Sequence, residues 1–234
     1  MIEIRRADER GHSRLSWLNS FHSFSFADYH DPRYMGVSNL RVINDDTVAA
    51  GGGFATHGHR DMEIVTYVLE GALEHKDSMG NGSVIRPGDV QHMSAGTGVR
   101  HSEFNHSRSE PVHFLQIWLQ PNRTGVQPGY NQRNFPSAER RGRLRLLVSP
   151  EGRDGSIPTQ QDGLLYGALL AAEASASHRL PPGRMGYVHL ARGCARVNDQ
   201  ELSAGDGLTL RDEAEITLSA TDESEILAFD LPGA

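Results

Sequence analysis

The sequence predicts an all-β protein made of two tandem units, each a β-sandwich or a jelly roll. Three observations carry that reading. Long helical periodicity is absent, short β-branched and aromatic runs recur between glycine-rich turns, and one pattern of strand, hairpin and turn occurs twice.

The runs come in order along the chain. Ile64-Val65-Thr66-Tyr67-Val68-Leu69 is the first clear strand. Val112 to Leu119 is the second, with Leu115, Ile117 and Leu119 on one face and Gln116 on the other. Leu144 to Val148, Tyr187 to Leu190 and Ile226 to Phe229 follow. Turn signals stand at Asn44-Asp45-Asp46, Gly80-Asn81-Gly82, Pro150-Glu151-Gly152 and Pro181-Pro182-Gly183. In the repeat, Tyr67-Val68-Leu69-Glu70-Gly71 precedes Arg86-Pro87-Gly88-Asp89, and His189-Leu190-Ala191-Arg192-Gly193 precedes Ser203-Ala204-Gly205-Asp206. The two units meet in the polar stretch between Gly129 and Gly142, which gives domains at 1–135 and 136–234.

A chain of 234 residues is long enough for two units of about 100 residues, each with its own core. The net charge of -7 argues against broad nucleic-acid binding. The basic segment Glu139 to Arg145 reads as a solvated edge or linker. One cysteine, Cys194, excludes an intrachain disulfide and suits a reducing compartment. Met1-Ile2-Glu3-Ile4-Arg5-Arg6 lacks the apolar core of a signal peptide, and no run approaches a membrane span. These features predict a cytoplasmic, monomeric protein.

The chemistry is concentrated in two short segments. His57 and His59 are two apart, so on a strand both imidazoles project from one face. His101 and Glu103 repeat the device. Two such pairs converging inside a barrel would offer three neutral nitrogens and one carboxylate oxygen. That set suits Fe(II), and also Mn, Ni, Co, Cu or Zn, and leaves octahedral positions open for substrate, water or O₂. Among 12 histidines one His-x-His pair could arise by chance, but a second pair beyond a Pro-Gly-Asp hairpin makes coincidence a poor account.

Gly51-x5-His57-x-His59, with Gly71 beyond, resembles the first cupin motif. Phe21 to Tyr29, His57 to Glu63, Thr66 to Gly71 and Met93 to Glu103 together resemble the pirin family, whose bacterial members include quercetin 2,3-dioxygenases. The resemblance implies a bicupin with one divalent metal, Fe(II) first, in its N-terminal half. It assigns the ligands to His57, His59, His101 and Glu103, with Glu103 also the catalytic base. Many cupins use a glutamate soon after His-x-His, whereas pirins use the later His-x-Glu. Glu63 is therefore expected to support the ligands or lie at the surface, and His92 to be structural. The implied reaction opens a flavonol such as quercetin with O₂ to a depside and carbon monoxide. The alternative is a non-enzymatic, redox-responsive partner of transcription factors or metabolic enzymes.

The second half has no His-x-His; His178, Arg179 and Pro181 stand near the corresponding place, so that barrel is expected to hold no metal. His22, His30, His75, His106 and His113 read as structural or surface groups, and Phe21, Phe24, Phe26 and Tyr29 as packing against the barrel. Gly51-Gly52-Gly53 lacks the Lys-Ser/Thr of a phosphate loop, and no serine occupies a nucleophile elbow.

Overall fold

The computed structural model describes residues 1–233 and is a bicupin: two β units, each a seven-stranded sheet facing a four-stranded one. In the first unit the large sheet runs Gly129–Asn134, Asp89–Ser94, Glu63–Glu70, Val112–Leu119, Leu40–Val48, Leu18–His22 and Gly11–Arg14. The small sheet runs Gly53–His59, Val99–Asn105, Leu73–Asp77 and Gly82–Ile85. The second unit repeats the plan, with Arg184–Arg192 and Ser224–Pro232 central in its large sheet. Among the described residues no helix is long and apolar enough to cross a membrane.

The central strands are apolar on both faces because both faces are covered. Along Glu63–Glu70, Val65, Tyr67 and Leu69 join a cluster that also takes in Leu147, Leu165, Tyr187, Leu227 and Phe229. That cluster fastens the two large sheets back to back. Ile64 and Val68 point the other way, into the first barrel.

The repeated glycines have a backbone reason. Gly71 and Gly193 have φ of +76° and +80°, and an added Cβ would stand 2.6 Å from the carbonyl of Pro111 or 2.2 Å from that of Glu223. Only glycine fits such a corner without strain. The second half of the repeat is equally literal. Asp89 accepts from the Arg86 amide at 2.9 Å, and Asp206 from the Ser203 amide at 3.0 Å.

Two expectations about local structure need correction. Asn44-Asp45-Asp46 is no turn; it lies inside the strand Leu40–Val48. Tertiary partners override the local preference: Asn44 Oδ1 accepts from His22 Nδ1 at 2.8 Å, and Asp45 accepts from Arg10 and His113 at 3.0 and 2.6 Å. The basic segment is not uniformly solvated either. It contains the single helical turn Ser137–Arg140, and Arg140 is buried against Tyr67 and Glu225. Ile2–Arg5 pairs antiparallel with Gly207–Leu210, so this strand edges the second unit's large sheet.

Glu63 neither supports the expected ligands nor lies at the surface. It is 1% exposed on the outer face of the first large sheet, at the seam between the units. It accepts from His92 Nε2 at 2.7 Å, Ser94 Oγ at 2.6 Å, Thr159 Oγ1 at 2.7 Å and the Gln160 amide at 3.0 Å. Burial alone would raise its pKa; the His92 bond and its companions instead hold it down at about 2. Glu63→Ala strands these donors in an apolar seam and should cost about 3–5 kcal/mol, read from the denaturation midpoint. A midpoint shift under about 1 kcal/mol would show that the seam does not depend on this carboxylate.

Candidate metal centre

The three predicted histidines meet at one end of the first barrel. Gly53–His59 and Val99–Asn105 are antiparallel neighbours, with His57 opposite His101 and His59 opposite Val99. His59 Nε2 lies 2.9 Å from His101 Nε2, which lies 3.0 Å from His57 Nε2. With metal–nitrogen bonds of about 2.1 Å, adjacent ligands of an octahedron stand about 3.0 Å apart and those of a tetrahedron about 3.4 Å. His57 and His59 therefore each stand from His101 at the spacing of neighbouring octahedral ligands, and the set fits an ion of that class.

A bulge makes this convergence possible. Between His101 and Glu103 the pairing slips, so that Glu103 faces Phe54. Ala55 and Thr56 are exposed, while Phe54 and His57 both turn toward the interior. His57 and His59 are half-buried at the mouth; His101 and Glu103 are each 2% exposed.

Glu103 takes a deeper place than its companions. It groups with His101 and His75, and the three-histidine group does not include it. Its carboxylate accepts from Gln116 Nε2 at 2.8 Å and Thr66 Oγ1 at 3.4 Å. Thr66 also lies 2.9 Å from Gln116 Oε1. Asp46, on the same inner face, is pushed up to about 7 by burial, with the Glu103 charge adding to the effect.

Burial, reinforced by the neighbouring imidazoles, lowers His59 to about 4 and His101 to about 3. Both rings are therefore neutral at ordinary pH, the form that binds metal. Aromatic pairs flank the cluster. Phe54 lies beside His57 and edge-on to Trp17, and Trp118 is edge-on to His59 at 4.9 Å and to Phe26 at 5.3 Å.

Sequence reasoning missed Thr66, His75, Asp77, Gln116 and Trp118. The signals were present. Gln116 is a polar residue inside an apolar strand, and His75 with Asp77 repeats the two-residue spacing that singles out His57 and His59. The other histidines fall elsewhere. His22 is held by Ser13 and Asn44, His113 by Asp45 and His92 by Glu63, while His30 and His106 are exposed. Of the aromatic series, Phe24 enters the inter-unit cluster and Phe26 alone reaches the centre's surroundings, through Trp118.

In the second unit His178 is bound to Asp230 at 2.8 Å, which Arg184 also holds at 2.5 Å. That barrel is filled by one continuous apolar cluster including Leu180, Ile216 and Leu218. Among the described residues, both convergent groups of metal-type donors lie in the first unit.

Residues 3–119 match the family description Pirin, and residues 146–231 match that of the quercetinase C-terminal cupin domain. The chain is 47% identical over 232 residues to a protein of Escherichia coli K12 named quercetin 2,3-dioxygenase, covering 99% of both. It is 40% identical over 231 residues to a pirin-like protein of Caulobacter vibrioides, covering 98% of this chain and 99% of that one. Among solved structures, the bacterial pirin YhhW of E. coli in complex with nickel(II) superposes with a TM-score of 0.95 at 47% identity, with both chains covered completely.

The lowered histidines set an acid dependence for the metal-free protein. His59, His101 and the fully buried His189, held by burial to about 4, 3 and 4, stay neutral while the unfolded chain protonates near 6.5. His22 is lowered too, chiefly by burial, whereas Asp46 at about 7 works in the opposite sense. The unfolded state thus binds more protons, and stability should fall as pH drops from 6.5 toward about 4. Urea midpoints that stay level or rise on that acidification would contradict the assignment.

Proposed function

The chain belongs to the pirin family, and from that premise we propose that it is a metal-dependent dioxygenase that opens flavonols such as quercetin with O₂, yielding a depside and carbon monoxide. The observation that carries the proposal is the convergence of three imidazole Nε2 atoms, 2.9 and 3.0 Å apart, beside a buried carboxylate.

His57, His59, His101 and Glu103 are the residues that would hold the ion. We take that ion to be Fe(II), with Ni, Mn, Co, Cu and Zn served by the same donors; the nickel of the E. coli pirin supports a nitrogen–oxygen site of this kind. When bound, the ion supplies a Lewis acid that lowers the pKa of a ligating hydroxyl.

This chain's own groups do the rest. Glu103 receives the flavonol hydroxyl proton; Gln116 keeps its carboxylate oriented by donating to it, and Thr66 in turn holds Gln116 by donating to its Oε1. The half-buried rings of His57 and His59 leave the approach open on their side. Phe54 and Trp118 border that approach with apolar surface suited to a flat aromatic substrate. The second barrel, packed with aliphatic side chains, closes the back of the first large sheet and takes no part in the chemistry. We place the protein in the cytoplasm as a monomer.

Anaerobic loading with Fe(II), followed by quercetin and air, should bleach the flavonol band and release carbon monoxide. No turnover with any of the six metals, alongside capture of a defined protein partner only in the metal-loaded form, would favour a redox-responsive binding protein instead. His57→Ala and His101→Ala should each lose most of the bound metal, and full occupancy by elemental analysis in both would refute the ligand assignment. Glu103→Gln keeps an oxygen donor but loses the base. It should retain most of its metal while turnover falls about 100-fold or more.

A further inference from the structure

We infer that His75 is a positioning residue for the metal centre: it accepts the Nδ1–H of His101 and so commits His101 to present a bare Nε2 to the ion. The inference rests on the reading above that His101 is a ligand.

The chain of partners fixes each proton in turn. Asp77 is the anchor. Its carboxylate accepts from Asn81 Nδ2 at 2.9 Å and from the backbone amides of Met79 and Asn81 at 2.9 and 3.0 Å, so it is held in one orientation. Asp77 Oδ2 lies 3.2 Å from His75 Nε2, and both side chains are wholly buried. An ionised carboxylate only accepts, so the proton of neutral His75 sits on Nε2 and its Nδ1 carries a lone pair. That Nδ1 faces His101 Nδ1 at 3.5 Å. Two bare nitrogens at this distance would repel, so His101 carries the proton on Nδ1. Its Nε2 is left as a lone pair aimed at His57 and His59.

The fold supplies this line through strand register. Leu73–Asp77 pairs with Val99–Asn105 so that His75 lies opposite Glu103 and Asp77 opposite His101. The Tyr130 ring lies 5.0 Å from that of His75 and limits its rotation. Metal-bound histidines commonly have their second nitrogen fixed by such a partner, and losing it lowers metal affinity about 10- to 100-fold.

The test uses the full chain and Zn(II) alone. In nitrogen-15 spectra of the unaltered, Zn-loaded protein, His101 should appear metal-bound at Nε2 and protonated at Nδ1. In chelator competition His75→Leu should bind Zn(II) about 10- to 100-fold more weakly. His75→Asn, whose amide oxygen can take over the accepting role, should recover most of that loss. A purely structural role would instead shift the melting point of the metal-free variants and leave affinity alone. Affinity unchanged in His75→Leu, or His101 bound through Nδ1, overturns the inference while leaving His101 a ligand. Failure of the unaltered protein to take up Zn(II) overturns the ligand assignment and this inference with it. Should His75→Leu fail to fold, the spectrum of the unaltered protein still decides.

Discussion

A polar cluster inside a β-barrel needs partners for its buried charged groups, and the first unit is organised around that demand. Glu103 cannot be buried without Gln116 and Thr66, nor His75 without Asp77. Supplying these partners interrupts the apolar filling. What would be one core is split into a cluster around Val68, Leu73 and Phe114 and another around Ile64, Met93 and Val99, with the polar seam between them. The second barrel carries no such burden, and its interior is continuous. The two halves share a plan but divide the labour: one spends interior volume on chemistry, and the other on packing.

The division works because the halves are tightly joined. The largest apolar cluster belongs to neither barrel alone but lies between the two large sheets. Within it, buried charges are matched at Glu63 with its donors and at Arg140 with Tyr67 and Glu225. Polar groups confined to such matched positions favour one docking geometry over alternatives that would leave them unpaired. Glu63 and Ile64 are chain neighbours on opposite faces of one strand. The seam and the first barrel are thus built on the two faces of the same strand.

Much of this is written in local periodicity. The central strands, the repeated glycine corners and the His57, His59 and His101 convergence all follow from residues two apart or from a turn that needs positive φ. What escaped is decided by distant partners. Asn44-Asp45-Asp46 has turn chemistry, yet His22, Arg10 and His113 reach it from other strands and hold it extended. Glu63 sits close to His59 in sequence but faces the opposite side of the sheet, toward Thr159. Glu103 lies two residues from His101, yet the bulge and its bond to Gln116 draw it inward. None of these outcomes has a signature within a short window.

The pairing of Ile2–Arg5 with Gly207–Leu210 has a consequence for synthesis. Residues 2–5 leave the ribosome long before residue 207 exists, and at about 5–20 residues per second the wait is roughly 10–40 s. Through that interval the first barrel can form, but its leading segment has no edge to join. The second unit's large sheet is thus closed by residues made about 200 positions earlier, so its maturation waits on a strand that has long been free. A barrel cut free at the sequence boundary would carry a permanently unmatched strand, an invitation to pair with a neighbouring molecule.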